Sequence, residues 1–265
     1  MNSKKFKAIV LRTGGTNCDL ETKIALEELG VKTEIVHMNR IDDKNLLDYH
    51  LIVFPGGFSY GDYVRAGAVW GKRVLTRLGG KLEQFISEER LVLGICNGFQ
   101  VLVEAGVLPG DGINETPSVA LANNSSARYE CRWIWLRVEN NQTPFTLTMK
   151  KGDILSIPIG HAEGRFLTDE NTLERLKNNS QIVFRYVLPN GEDANGIYPY
   201  NPNGSTYDIA GICNEKGNVM GMMPHPERAF FGWQLHEWGK VPPEKGDGRK
   251  IFESIVKYLE KQFQF

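Results

Sequence analysis

The sequence predicts an α/β protein built on an open sheet with a parallel core, and three observations lead there. Short apolar or β-branched runs alternate with helix-like segments through the first half of the chain. Glycine-rich turns follow several of those runs, as in Thr13-Gly14-Gly15-Thr16 and Pro55-Gly56-Gly57. In the second half the pattern changes to the alternation of facing residues that antiparallel strands show.

Taken in order, Lys7 to Leu11 reads as a buried strand, and Leu20 to Leu29 as an amphipathic helix stopped by Gly30. Thr33 to His37, Leu51 to Phe54 and Leu91 to Ile95 repeat the short apolar run. A helix follows the last of these at once, from about Asn97 to Ala105, with Gly106 as its C-terminal stop. Strands separated by helices pair in parallel through right-handed crossovers, which gives a doubly wound sheet. Ala127 to Val138 then alternates, with Trp133, Trp135 and Arg137 set against Ile134, Leu136 and Val138. Ile154 to Ile159, Ile182 to Val187 and Ile209 to Cys213 continue the antiparallel theme. Lys216-Gly217-Asn218, between Ile212 and Val219, reads as a hairpin turn. A helix from roughly Arg249 to Leu259 closes the chain. No internal repeat, low-complexity tract or linker interrupts the pattern, so residues 1–265 are expected to form one mixed-sheet domain. Pro189 to Tyr207 and Trp233 to Gly248 are rich in Gly, Pro and Asn and are expected as surface loops.

Composition narrows the function classes. Lys and Arg total 31 against 32 Asp and Glu, which leaves no basic footprint for nucleic acid and no polybasic membrane patch. Cys18, Cys96, Cys131 and Cys213 lack Cys-x-x-Cys or zinc-ligand spacing, so reduced thiols in a cytosolic setting are expected and no metal. Met1 to Lys7 is too short for a signal peptide and no apolar run is long enough to span a bilayer, so a cytoplasmic location is expected.

The chemistry centres on Gly94-Ile95-Cys96-Asn97-Gly98-Phe99-Gln100, which follows a buried strand and opens a helix. This is the sulfur counterpart of a nucleophile elbow, where a sharp turn lifts the nucleophile above the sheet edge. Side chains at positions 94 and 98 would clash in so tight a fold. Unsatisfied N–H groups at the helix start favour a thiolate and can hold an oxyanion, with the Asn97 N–H next to the sulfur. An arbitrary cysteine is more often a small buried core residue. The Gly-x-Cys-x-Gly context reverses that for Cys96, whereas Cys18, Cys131 and Cys213 keep the core reading.

Of five histidines, His225 stands out in Met222-Met223-Pro224-His225-Pro226-Glu227. The two prolines are expected to forbid a helix and hold the backbone extended, so that His225 and Glu227 point to one side. That suits a Cys–His–Glu arrangement in which the imidazole moves the proton and the carboxylate orients it. A loop histidine beside a surface glutamate is the plain alternative. Pro55 to Asp62 follows the third strand and so shares the carboxyl edge with Cys96, where ligands bind in open α/β sheets. Its paired glycines can supply a second oxyanion donor at the Gly57 N–H. No phosphate-loop pattern occurs in the chain. The Arg12 to Asn17 turn either coordinates an anion or is only a tight connection.

Gly94 to Gln100 together with His225-Pro226-Glu227 resembles the class I (triad) glutamine amidotransferase family. Phe54 to Ala66, Leu93 to Gly110, His161 to Phe166, Asn201 to Ser205 and Gly221 to Arg228 resemble its purine branch, the glutaminase subunits of phosphoribosylformylglycinamidine synthase. The resemblance runs from about Lys7 to Arg228. It implies a flavodoxin-like, mostly parallel mixed sheet with helices on both faces, and a catalytic triad of Cys96, His225 and Glu227. It also implies an oxyanion hole from Gly57 and Asn97, and glutamine contacts at Gln100, Phe58, His161 and Ala162. The implied activity is hydrolysis of glutamine through a Cys96 thioester, with ammonia passed to a PurL-type synthase subunit that holds ATP and Mg, and with a small PurS-type third subunit. No cofactor is implied in this chain. Asn190 to Tyr200 and the stretch after Arg228, with Trp233, His236 and Trp238, depart from the family pattern. Rival readings are a class I glutaminase serving another acceptor, a Cys-elbow hydrolase of similar fold, and a non-catalytic glutamine-sensing subunit.

Overall fold

Strands that are apolar on both faces have to be buried on both faces, and they form the centre of the sheet. In β1 (Lys7–Arg12) only the two end residues are exposed, and β3 (Leu51–Phe54) and β4 (Leu91–Ile95) are buried throughout. The computed structural model describes residues 6–110, 112, 117–236 and 243–263. With β2 (Lys32–His37) and β11 (Val219–Met222), these strands make a parallel core in the order β2-β1-β3-β4-β11. The sheet continues antiparallel through β10 (Ile209–Cys213), β9 (Ile182–Val187), β6 (Glu130–Val138) and β7 (Ile154–His161), nine strands in all. In β6 the expected alternation holds: Ile134, Leu136 and Val138 are buried, while Trp133, Trp135 and Arg137 are only partly so.

Helix α1 (Asp19–Glu28) joins β1 to β2, and α2 (Ala68–Ser87) joins β3 to β4 in the opposite sense along the sheet. Right-handed crossovers therefore place them on opposite faces. Helix α3 (Asn97–Glu104) packs with α2, and α5 (Arg249–Gln262) packs with α1. The sequence does not signal α2, because Gly71, Gly79 and Gly80 interrupt its pattern. Its buried stripe of Trp70, Val74, Leu78, Leu82 and Phe85 nonetheless recurs every three or four residues. The short strands β5 (Val119–Ala122) and β8 (Arg165–Thr168) form a separate antiparallel pair, followed by α4 (Glu170–Asn178), which Asp169 caps.

The expected surface loop at 189–207 is only partly a surface loop. Asn201, Asn203 and Ser205 are buried. Asn201 Nδ2 donates to Asp208 Oδ1 (2.8 Å), and Asn203 Nδ2 donates to the Gly164 carbonyl (2.8 Å). Buried amides need such partners, and here they brace the segment after β7. In the second expected loop Trp233 is exposed, whereas Gly246 and Gly248 pack on the Ala229 and Pro226 carbonyls. Trp238 lies outside the described residues.

Candidate active site

Every parallel strand delivers its following loop to one edge, and β7, antiparallel to β6, ends at that edge too. Five segments converge there: Thr13 to Cys18 after β1, Pro55 to Asp62 after β3, Cys96 after β4, His161 to Gly164 after β7, and Met223 to Glu227 after β11. Cys96 sits at the strand-to-helix junction with φ 50° and ψ −108°. A non-glycine residue held there is strained and persists only where its surroundings over-determine it. They do: the Cys96 N–H donates to the Met222 carbonyl (2.8 Å) and its carbonyl accepts from Phe99 (3.0 Å) and Gln100 (3.2 Å). A Cβ at position 98 would lie 1.8 Å from the Phe54 carbonyl oxygen, and one at position 94 would lie 2.7 Å from the Gly98 carbonyl oxygen. Only glycine lets the strand and helix meet so closely.

The turn carrying His225 differs from the extended geometry expected of it. Pro226–Ala229 is a short 3₁₀ turn, with Pro226 in the opening position that proline suits and His225 just before it at φ −102°, ψ 88°. The pairing survives in a more direct form: His225 Nδ1 lies 2.6 Å from Glu227 Oε1, with both side chains almost wholly buried. Burial alone would strip the imidazolium of its proton, but the charges of Glu227 and Cys96, helped by the Cys18 contact, hold its pKa well above the usual histidine value. Cys96 Sγ also lies 3.6 Å from the Gly160 carbonyl oxygen. His225 Nε2, the nitrogen not bound to Glu227, is buried without an aligned hydrogen bond among the described residues.

Asn97 and Gly57 carry the two backbone amides expected as oxyanion donors. Asn97 is the first residue of α3, where N–H groups lack intrahelical acceptors. Gly57 pairs with Thr16, but the bridge is closed by Phe58 N–H on the Gly15 carbonyl (2.8 Å) and Asn17 N–H on the Gly56 carbonyl (3.3 Å). The Gly57 N–H is therefore not consumed by the bridge. The same bonds make the Arg12 to Asn17 turn a tight connection clamped to the glycine loop. Asn97 ties the loop to the elbow: its Oδ1 accepts from Ser59 N–H (3.1 Å) and its Nδ2 donates to Gln100 Oε1 (2.9 Å).

Gln100 is buried, and its amide is spent on Asn97 and on the Glu163 carbonyl. Ala162 uses its carbonyl to accept from Asn124 N–H (2.8 Å). Phe58 is half-exposed at the rim, its ring 6.2 Å from that of Tyr129. His161 is fully buried and its pKa falls to about 3, through burial first and the nearby His225 charge second. Asn124 Nδ2 donates to the carbonyls of Arg128 (2.9 Å) and His161 (2.8 Å), while its Oδ1 accepts from Gly164 N–H (3.0 Å). The amide orientation is thereby fixed, so His161 Nδ1, 3.1 Å from that Oδ1, carries the proton. Its Nε2 keeps a bare lone pair, buried and unpartnered among the described residues.

Several residues at the site escaped sequence reasoning. Asp62 and Glu163 face each other beside Asn97, and burial, followed by the charge of Glu163, pushes the Asp62 carboxyl up to about 6. Cys18 is buried as expected, but against His225 rather than in an apolar core: its Sγ lies 3.9 Å from Nδ1 and 3.1 Å from Arg228 Nη2. Its place in the turn between β1 and α1, on the same sheet edge, was the available signal. Cys213 is a buried core thiol, whereas Cys131 is exposed, contrary to the core reading. Ligand atoms of Cys18, His225 and Glu227 lie within 4.8 Å of one another, a donor set that suits a borderline metal. The short Nδ1 to carboxylate bond and the Arg228 cation already occupy these donors, so they are arranged as a hydrogen-bonded unit. No helix among the described residues is long and apolar enough to cross a membrane.

Comparison with known proteins agrees with this geometry. Residues 5–259 match the CobB/CobQ-like glutamine amidotransferase domain. The chain is 47% identical to phosphoribosylformylglycinamidine synthase subunit PurQ of Archaeoglobus fulgidus, over 98% of this chain and 100% of that one. It is 42% identical to the subunit of the same name from Dehalococcoides mccartyi, over 97% and 99%. Among solved structures it is similar to a chain of PurLQS from Thermotoga maritima, with TM-score 0.75 and 39% identity over 96% of this chain and 99% of that one. The glutaminase domain of Trypanosoma brucei CTPS shares the fold at TM-score 0.53 and 13% identity, over 96% and 94%. A cysteine on a strained elbow, a histidine–glutamate pair in the turn after the neighbouring strand and likeness over nearly the whole length lead to one assignment: the chain belongs to the CobB/CobQ-like glutamine amidotransferase family and, within it, to the phosphoribosylformylglycinamidine synthase PurQ subunits.

Proposed function

We propose that this chain, as one glutaminase domain over residues 1–265, releases ammonia from glutamine for phosphoribosylformylglycinamidine synthase in purine biosynthesis. The single observation that supports the chemistry is the buried His225–Glu227 pair set against Cys96 on its elbow. Thiolate Cys96 attacks the side-chain carboxamide carbon of glutamine, and the oxygen takes up charge beside the Gly57 and Asn97 N–H groups. The C–N bond then breaks as His225 Nε2–H gives its proton to the departing nitrogen, leaving ammonia and a glutamyl thioester. Water adds to the thioester, passes a proton back to His225, and the C–S bond breaks to free glutamate and the thiolate. An oxyanion donor contributes about 3 kcal/mol of transition-state stabilisation, and proton transfer by a positioned base roughly 10²–10⁴-fold in rate. His161 Nε2 supplies a buried acceptor suited to a carboxamide N–H, and Phe58, Ala162 and Gln100 complete the substrate pocket, Gln100 through the Glu163 backbone that it fixes.

Ammonia freed into water at neutral pH is protonated and lost as a nucleophile. It therefore needs a sheltered route to a second active site. The Thermotoga maritima PurLQS likeness supports a PurL-type synthase subunit as recipient, with a PurS-type small subunit, and ATP and Mg belong in this reading to the synthase. A cytoplasmic location fits that role. Replacing Cys96 with Ala tests the reading. Glutamine-dependent synthesis by the assembled complex disappears while ammonia-dependent synthesis persists; retained glutaminase turnover removes Cys96 from the mechanism. A glutamine-mimicking electrophile gives a covalent adduct at Cys96 by mass spectrometry, and no adduct favours a glutamine-sensing subunit instead.

A further inference from the structure

The outer edge of His225, the side away from Cys96, is held by a second thiol. Cys18 Sγ donates to Asn17 Oδ1 (3.0 Å), accepts from Arg228 Nη2 (3.1 Å) and faces His225 Nδ1 at 3.9 Å. Its backbone N–H is anchored on the Gly56 carbonyl (3.2 Å). A Cβ at Gly56 would lie 2.6 Å from His225 Cε1 and 3.1 Å from the Cys18 sulfur, so ring edge, sulfur and glycine form one contact with no room to spare. Arg228 spans onward to Glu21 (Nε to Oε1, 3.3 Å), which locks the start of α1 to the turn carrying the histidine.

We infer that Cys18, clamped by Arg228 and Asn17, is a positioning residue for the glutaminase reaction. It fixes the plane of the His225 ring and shares the Nδ1 proton with Glu227, so that Nε2 stays aimed at Cys96. The inference rests on the glutaminase reading above.

Three features support it. The thiol is neutral, because burial pushes its pKa up to about 11. A neutral thiol has one proton, and Asn17 takes it, which leaves only sulfur lone pairs for Arg228 and Nδ1. A sulfur at this distance is a weak second acceptor, enough to restrain a ring whose final torsion is otherwise broad. The charged and titratable groups that face His225 and its partners are Glu227 and Arg228 of its own turn, Cys18 before α1 and Glu21 in it, Cys96 of the elbow, His161 after β7, and Tyr129.

The test uses the complex assembled with its synthase partners. Cys18→Ala removes the acceptor and opens the slot. kcat for glutamine falls roughly 10-fold or more while KM stays within about twofold, because a displaced base costs the reaction and not the binding. The alkaline limb of kcat/KM, which follows loss of the imidazolium proton, moves down by about half a pH unit. Cys18→Ser keeps a donor and an acceptor in place and restores both. If the alanine variant does not fold, 2-aminobutyrate at position 18, which keeps the shape of cysteine with a methyl in place of the thiol, fills the slot without the acceptor and shows the same limb shift. An alkaline limb that stays at its original pH, with turnover per folded complex unchanged, overturns the inference. Loss of turnover in Cys96→Ala alongside that result would leave the glutaminase reading intact.

Discussion

Glycine 98 offers the sharpest quantitative test of the elbow. Adding one methyl group, as in Gly98→Ala, places a carbon 1.8 Å from the Phe54 carbonyl oxygen and 2.5 Å from its carbon, where ordinary contact begins near 3.4 Å. About 1.6 Å of separation must be found between α3 and β3, and the obstructing atoms are backbone, so no rotamer change supplies it. The expected destabilisation lies at or above the top of the overpacking range, about 3 kcal/mol, or a fall in Tm of roughly 6–12 °C for a domain of this size. Because Cys96 opens the same helix, the shift also carries the sulfur off its line to the substrate, and about 1 Å of misplacement costs on the order of 10²-fold in turnover. Gly80 in α2 is the matched control. It is exposed, and a Cβ there meets nothing within 4 Å, so Gly80→Ala gains about 0.5–1 kcal/mol from helix propensity alone. Urea unfolding midpoints and glutamine-dependent turnover of the assembled complex, normalised to its ammonia-dependent rate, measure both effects. If the two alanine variants shift stability and turnover alike, close backbone approach is not what makes glycine necessary at position 98.

Two further predictions concern pH. Asp62 titrates in the folded protein near 6, above an ordinary carboxyl, so its ionised form costs stability at pH above that value and nothing once pH drops below the unfolded value. Asp62→Asn should therefore stabilise by about 1 kcal/mol at pH 7.5, after allowing for its partial exposure, with the gain gone near pH 4; a constant difference across that range would refute the assignment. His161 stays neutral when folded down to about pH 3 but protonates near pH 6.5 when unfolded, so the native state loses up to about 1.4 kcal/mol per pH unit as pH falls between those values. His161→Gln should remove that part of the slope in chemical denaturation, and an unchanged slope would show that the imidazole is not held neutral.

What the sequence reveals about the site follows how local the constraint is. Cys96 is legible because the elbow writes its steric demands into its immediate neighbours, Gly94 and Gly98. His225 and Glu227 are legible as a pair two residues apart, although the turn joining them is a 3₁₀ turn and not an extended strand. Cys18 and Arg228, by contrast, meet across 210 positions of sequence, and His161 meets Asn124 across 37, in contacts made only when the strands align. No local pattern encodes those meetings. The same holds for the loop at 189–207, whose Asn201 and Asn203 look solvent-exposed by composition but are drawn inward by Asp208 and Gly164. Helix α2 fails differently: its apolar stripe is present, but glycines within it imitate a turn.

The antiparallel half of the sheet explains how the site becomes dry. In the strand order β11-β10-β9-β6-β7, β7 lies four places from β11, which in a flat sheet would be about 19 Å. Yet His225 N–H donates to the Pro158 carbonyl of β7 at 2.9 Å, and Cys96 Sγ lies 3.6 Å from the carbonyl oxygen of Gly160. The antiparallel strands must therefore curl back over the carboxyl edge of the parallel core. The place where that bend is accommodated is visible: the register between β9 and β10 slips between Ile209 and Gly211 and again before Ile212, the irregularity that sharpens strand twist. Curling brings His161 and the Gly160 carbonyl onto the far side of the sulfur, and it is this cover that leaves Cys96, His225 and Glu227 each at most 4% exposed. Exclusion of water strengthens the electrostatic contacts that remain among these side chains, so the bulge in β10 shapes the candidate site as much as the elbow in front of α3 does.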